Sequence, residues 1–461
     1  MLPGGLPLPL LLYADDLSLF AYSRARLEAL LKALQEWCSA FGMRVNARKC
    51  EVLVFSNQGK AEERAIFARE SGKFAARAAD AVGAGEPFEW RKRVRYLGLH
   101  YGPDEPFVEQ PELVVAGRKV MMALLGKLRR QALLVPRVAL KCFEVQVCSV
   151  LSYGAQLWGP DAVVAVLAGG AGHGFSGCFE RALAHPAVQL QREFLWALAR
   201  VKRCSSRAVF REFKQRPLQY HWCELAMRWW NKMVKSKEVI HRAVFLEELR
   251  QAHRAQVNPG VCVYAGWGDR MFRMLVALDW EPIEYRPGEI PPARYERLAS
   301  TLLPVEELLD RFAARLDDEW EHVSLAEADP RVFEGPRPRV AVCKHKCWMG
   351  EAAHLKEYLP ASLLAALLRF RVCAQELEVN RAAGRPRAQR ICRMCATGVV
   401  EDEKHFLLEC DVYSMLRAAY GINASGMCEA LGGDQRQLAK LLQSAARMRL
   451  MCLAARASDA S

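Results

Sequence analysis

In Leu12-Tyr13-Ala14-Asp15-Asp16-Leu17-Ser18-Leu19-Phe20 two adjacent carboxylates sit between two short apolar runs. Apolar runs this short, joined by a two-residue polar step, favour a β-hairpin over a helix. The hairpin carries both carboxylates to its tip, where they repel each other. Two readings are open at this point. One is a plain Asp-Asp turn. The other is a hard oxygen site for a divalent cation such as Mg²⁺, the type of ion that clamps the attacking and leaving oxygens of phosphoryl transfer.

The residues that follow narrow the choice. Leu27, Leu30, Leu31, Leu34, Trp37, Cys38 and Phe41 recur at helical spacing and make one apolar stripe, which Gly42 ends. A turn of the pattern Gly-x-x-x-Asn-x-x-Lys (Gly42, Asn46, Lys49) then leads into a strand-like run, Glu51-Val52-Leu53-Val54-Phe55, and Tyr96-Leu97-Gly98-Leu99 adds a second strand-turn signal. Tyr13-Ala14-Asp15-Asp16 resembles the catalytic YADD box of reverse transcriptases of the non-LTR retrotransposon type. Gly42 to Phe55 is similar to the next motif of that family, with Cys50 in place of its usual threonine, and Tyr96-Leu97-Gly98 resembles its primer-grip hairpin.

The resemblance implies RNA-directed DNA synthesis with Mg²⁺, on an RNA or DNA template–primer and with deoxynucleoside triphosphates. Asp15 and Asp16 would hold metal, and Lys49 would approach the incoming triphosphate. Tyr13, Tyr96 and Gly98 would face the template–primer. The family takes a third metal-binding aspartate from an earlier palm strand, preceded by the fingers. Met1 to Leu12 contain no acid, so the expectation is a truncated polymerase, inactive alone. The alternative is a non-catalytic, zinc-dependent RNA- or DNA-binding protein derived from such an element, and a third is a relic without function.

Further along, Leu113 to Leu134 mixes aliphatic and basic residues, and Pro136 opens a second apolar helix through Cys142, Phe143, Val147 and Leu151. These helices resemble the family's thumb, which makes Lys127, Arg129 and Arg130 candidate phosphate contacts beside the plain reading of a solvated face. Leu151 to Gly159 resembles the segment after the thumb and reads as packing. From Gln189 to Val234, Trp222, Trp229 and Trp230 lie among cations, as core residues or as stacking platforms. The glycine-rich run from Gly169 to Gly174 reads as a linker, and Cys343 to Cys347 as an accidental cluster.

Cys392-x-x-Cys395 and, after nine residues, His405-x₄-Cys410 have the composition of a tetrahedral Cys₃His zinc site. The acidic stretch Glu401-Asp402-Glu403-Lys404 between them reads as exposed. The stretch from Gly384 to Arg417 resembles a zinc segment found downstream of reverse transcriptases in many non-LTR elements. Arg385 and Arg390, leading into it, suit contact with nucleic acid.

The net charge of +13 and the pI near 9.1 favour such an anionic partner. Sixteen cysteines without regular spacing point away from a secreted disulfide framework. The expected setting is intracellular, nuclear or cytoplasmic, with no membrane span. The expected fold class is α+β: a partial palm of β-hairpin, helix and short strands at 1–105, then mostly helical segments. These are thumb-like helices at 106–160, a basic, Trp-rich region at 161–250 and a connector with loops at 251–380. A small zinc-binding segment at 381–420 and a helical tail at 421–461 complete the chain.

Overall fold

A computed structural model describes residues 10–46, 49–53, 89–91, 93–102, 111–130, 135–168, 177–202, 204, 206–257, 266–284, 286, 288–326, 359–381, 385–395 and 397–458. Val54, Phe55, Gly169 to Gly174 and Cys343 to Cys347 lie outside this set. The described chain is mostly helical, with three two-stranded pairs, an α+β composition. It divides into two compact units. One holds residues 1–111, 154–168 and 221–312, and the other 112–153, 169–220 and 313–461.

In the first unit, β1 (Leu10–Tyr13) and β2 (Asp16–Leu19) form the expected antiparallel hairpin, with Tyr13 opposite Asp16 and Leu10 opposite Leu19. Helix α1 (Arg24–Ala40) follows; Ser23 caps it by accepting a hydrogen bond from the Arg26 amide at 3.3 Å. Leu31 and Cys38 of its stripe are buried, and Leu27, Leu30 and Leu34 half-buried. Trp37 and Phe41 depart from the expectation. Both are exposed and pack on each other at 5.1 Å between ring centres. β3 (Glu51–Val52) pairs in parallel with β4 (Glu89–Trp90), and β5 (Val94–Tyr96) pairs antiparallel with β6 (Leu99–Tyr101).

The core of this unit is aromatic. Trp158 meets Trp222 edge-on at 4.7 Å, and Trp230 meets Phe245 at 4.9 Å. Trp222 and Trp230 are fully buried, so these two are core residues, not stacking platforms for bases. The Trp230 indole donates to the Thr301 carbonyl at 3.0 Å, and Trp267 donates to Gln156 at 2.8 Å, so the buried N–H groups are satisfied. Helix Ala155–Leu167 is fastened to helix Trp267–Ala277 by Asp161, which takes Arg270 on one oxygen and Arg273 on the other.

The second unit is built from helices that include Pro111–Arg130, Pro136–Phe143, Pro186–Leu198, Ala361–Arg371 and Gln435–Ser458. A π-helical turn, Glu144–Cys148, continues the helix from Pro136 and keeps Phe143, Val147 and Leu151 buried, as their spacing anticipates. Phe143 stacks on Phe194 at 4.3 Å, and Arg118 grips Glu193 with two bonds of 2.6 and 3.1 Å. Deeper in, Arg371 donates to Glu212 at 2.6 Å, both side chains almost wholly buried. No single helix among the described residues is long and apolar enough to cross a membrane.

Glycine matters where backbones meet. The carboxylate of Glu248 receives the Gly268 amide at 2.8 Å, capping helix Trp267–Ala277 from a neighbouring helix. A methyl group at Gly268 would overlap the Glu248 backbone carbonyl, which has no soft direction in which to yield. Gly268→Ala is therefore expected to destabilise the fold by about 1–3 kcal/mol, read as a lower midpoint in urea unfolding, with Gly432→Ala, which meets open space, as the control.

Candidate functional site

Two constellations carry chemistry. The first is the tip of the β1–β2 hairpin. Ala14 takes a positive φ of 52°, which lets the chain reverse within two residues, with Asp15 in the turn and Asp16 the first residue of β2. Both carboxylates are exposed, as is Tyr13, at 64 %. Adjacent, accessible hard oxygens suit a Mg²⁺ ion. Among the described residues, the one group of three or more ligand-type side chains fit for a metal lies elsewhere, so Asp15 and Asp16 stand there as a pair.

Lys49 lies after the Gly42 reversal (φ 66°), exposed, its amide bonded to the Asn46 carbonyl at 3.0 Å. Tyr96 and Leu99 flank a two-residue turn in which Leu97 (φ 47°) and Gly98 (φ 82°) both take positive φ, as tight hairpin turns demand. Leu99 is buried where its side chain fills the space a Cβ on Gly154 would need. Two stretches that look separate in the sequence, Tyr96-Leu97-Gly98-Leu99 and Leu151 to Gly159, therefore meet at one small contact. The signal for it was Gly154 itself, held at φ 69°.

The second constellation is the cysteine–histidine cluster. Ile391 and Val400 pair as an antiparallel bridge, and the Cys392 amide donates to Val399 at 2.7 Å, closing a small hairpin around the Cys-x-x-Cys turn. Asp402 accepts from the His405 amide at 2.9 Å and starts the single turn His405–Glu409, after which Cys410 follows. Cys392, Cys395, His405 and Cys410 thereby converge, with all four ligand atoms within 4.8 Å of one another. A tetrahedral zinc, with bonds of about 2.3 Å to sulfur and about 2.0 Å to nitrogen, spaces its ligand atoms roughly 3.5–3.8 Å apart. Cys395 Sγ and His405 Nε2 are 3.4 Å apart. The donor set and spacing fit zinc. The second ring nitrogen of His405 lies 3.9 Å from the Glu409 carboxylate, longer than a hydrogen bond, and Glu409 itself is paired with Lys404 at 2.5 Å.

Burial pushes the Cys392 thiol up to about 12 and raises Cys410 as well. At Cys395 burial acts in the same direction, but hydrogen bonds with Thr397, at 2.9 Å, and with His405 outweigh it and bring the thiol down to about 6.

The acidic stretch between the ligand pairs corrects the sequence reading. Lys404 is exposed as expected, but Glu401 and Glu403 are buried, at 0 and 1 %. For Glu401 the reason is Arg449, which reaches in from helix Gln435–Ser458 and binds both its oxygens, at 3.0 and 2.6 Å. Glu401 Oε2 also accepts the Glu378 amide at 2.8 Å.

The basic residues divide. Lys127, Arg129 and Arg130 are exposed in the last turn of helix Pro111–Arg130, a place where the helix dipole also favours cations. Arg385 is exposed, whereas Arg390 spends its guanidinium on backbone, donating to Arg385 at 2.8 Å and Val379 at 3.0 Å.

Residues 6–101 match the family model of the reverse transcriptase (RNA-dependent DNA polymerase). That span holds the Asp15–Asp16 hairpin, α1, the Lys49 turn and the Leu97–Gly98 turn. No curated protein and no solved structure matches the chain.

The cluster makes a quantitative prediction. At pH 7 Cys392 and Cys410 still hold protons and Cys395 has largely lost its own, so zinc uptake should release about two protons per ion. Calorimetry in buffers of different ionisation enthalpy counts them. Affinity should weaken as the pH falls, and more steeply below about 6, where Cys395 takes up its proton too, and Cys395→Ser should abolish stoichiometric zinc by elemental analysis. Unchanged metal content in that variant would rule the site out.

Proposed function

We propose that this chain is part of a reverse transcriptase of the non-LTR retrotransposon type, carrying a portion of the palm and, further along, a zinc-binding module. One observation carries the reading. The span that matches the reverse-transcriptase family contains a hairpin with Asp15 in its turn and Asp16 opening its second strand. In this reading Asp15 and Asp16 hold Mg²⁺, which when bound supplies Lewis-acid stabilisation of the charge that develops in nucleotidyl transfer. Lys49 contributes a positive charge toward the triphosphate. Tyr13, Tyr96 and Gly98 line the path of the template–primer, and Lys127, Arg129 and Arg130 add phosphate contacts. The Cys392, Cys395, His405 and Cys410 module holds zinc, with Arg385 and Arg390 at its approach.

A second reading, a non-catalytic RNA- or DNA-binding protein derived from such an element, is favoured by a specific contrast. The four zinc ligands form a complete set, whereas the carboxylates form only a pair among the described residues. Two-metal chemistry needs a further ligand to fix both ions in line with the reacting phosphate.

Primer extension on an RNA template with Mg²⁺ separates the two. Incorporation that disappears in Asp15→Ala/Asp16→Ala is the expected result for a polymerase whose further carboxylate is supplied outside the described residues. Binding of the primer–template that weakens with salt, without incorporation and without change in the double variant, supports the second reading. Absence of both overturns each.

A further inference from the structure

We propose that Arg449 is the counter-ion of the metal centre, so that helix Gln435–Ser458 belongs to the site although it supplies no ligand. The inference rests on reading Cys392, Cys395, His405 and Cys410 as a zinc site. Three thiolates and a neutral imidazole around Zn²⁺ leave a net single negative charge. That charge forms beside a carboxylate that is already buried: Glu401 Oε1 lies 3.8 Å from the Cys392 sulfur. Two negative charges in a water-poor site repel strongly unless a cation lies between or behind them.

Arg449 is that cation. It is 4 % exposed, and its guanidinium closes a two-point grip on Glu401, with a third contact at 3.5 Å to Glu378. The planar fork of arginine matches this arrangement, which a lysine meets at only one point. Glu401 in turn belongs to the hairpin that carries Cys392, since its amide donates to the Arg390 carbonyl at 2.9 Å. The chain of contact therefore runs from the helix through a carboxylate to a ligand, the usual way in which residues outside the ligand set tune a metal.

An ion pair that merely fastened the helix would affect folding and leave the metal's electronic environment alone. Co²⁺ substitution distinguishes the two, because the energy of the sulfur-to-cobalt charge-transfer band follows the electrostatic field at the thiolates. The test uses the full chain, with zinc affinity measured by chelator competition and the Co²⁺ spectrum recorded in parallel. Arg449→Met is expected to weaken zinc binding about 10–100-fold and to move the band to longer wavelength. Arg449→Lys, which keeps the charge, should hold the band near its wild-type position with a smaller loss of affinity. Glu401→Gln in the Arg449→Met background should restore most of the affinity. If Arg449→Met does not fold, Glu401→Gln with and without Arg449→Met carries the comparison: weaker zinc binding in the double variant is expected, since the anionic centre has then lost its cation, and equal affinities overturn the proposal. A folded Arg449→Met chain with unaltered affinity and spectrum overturns the proposal, as does a loss that Glu401→Gln leaves undiminished. A wild-type chain that takes up neither Zn²⁺ nor Co²⁺ overturns the metal-centre reading itself.

Discussion

A carboxylate taken out of water must be answered by a cation placed against it, and the second unit is organised around two such answers. Arg371 meets Glu212 across 159 residues of sequence, and Arg449 meets Glu401 across 48. Removing one member of a pair of this kind typically costs about 3–5 kcal/mol, because a buried charge is left alone. Apolar contact gives these helices most of their energy of association, and directed bonds sharpen their register. The paired charges specify which turn of each helix faces which, and Arg371 adds a bond of 3.1 Å to the Leu431 carbonyl that ties a third segment into the same point.

The first unit solves a different problem. Its described strands are too short to make a sheet with a protected interior, and most of the β1–β2 hairpin is exposed. Its order comes from tryptophan, whose large ring buries area while its N–H demands one directed bond. Trp230 and Trp267 each satisfy that demand on a backbone carbonyl, which fixes loop and helix together. Asn231 adds a reciprocal pair with Leu303, donating at 3.0 Å and accepting at 2.7 Å. The carboxylate hairpin is thus attached to a unit whose rigidity is aromatic in origin.

Much of the architecture was legible in the sequence wherever the signal is local. The two apolar runs around Asp15-Asp16 specify a hairpin by their shortness and the polar step between them, and Leu27 to Phe41 specify a helix by period. Cys392-x-x-Cys395 and His405-x₄-Cys410 meet because each pair is pre-formed by its own turn. What the sequence concealed depends on distant partners. Glu401 and Glu403, in an acidic run, read as solvated, and nothing within ten residues announces that Arg449 will bury the first of them. Trp37 and Phe41 fall on the apolar stripe of α1 yet stay exposed, because period reveals which face is apolar but not how far its covering extends. At Trp222 and Trp230 the sequence allowed either a core role or a stacking platform among the nearby cations, and packing places both rings in the core.

The grip of Arg449 on Glu401 also bears on where the proposed zinc module ends. By ligand spacing alone the module would close just after Cys410, and a fragment cut there would carry every donor atom. It would also carry a buried glutamate stripped of its cation, next to sulfurs that must themselves become anionic. The smallest piece able to form this centre in its native electrostatic setting therefore runs from Glu378 to beyond Arg449. In the proposed module the tail that follows the ligands would be not a dispensable appendix but the far wall of the site.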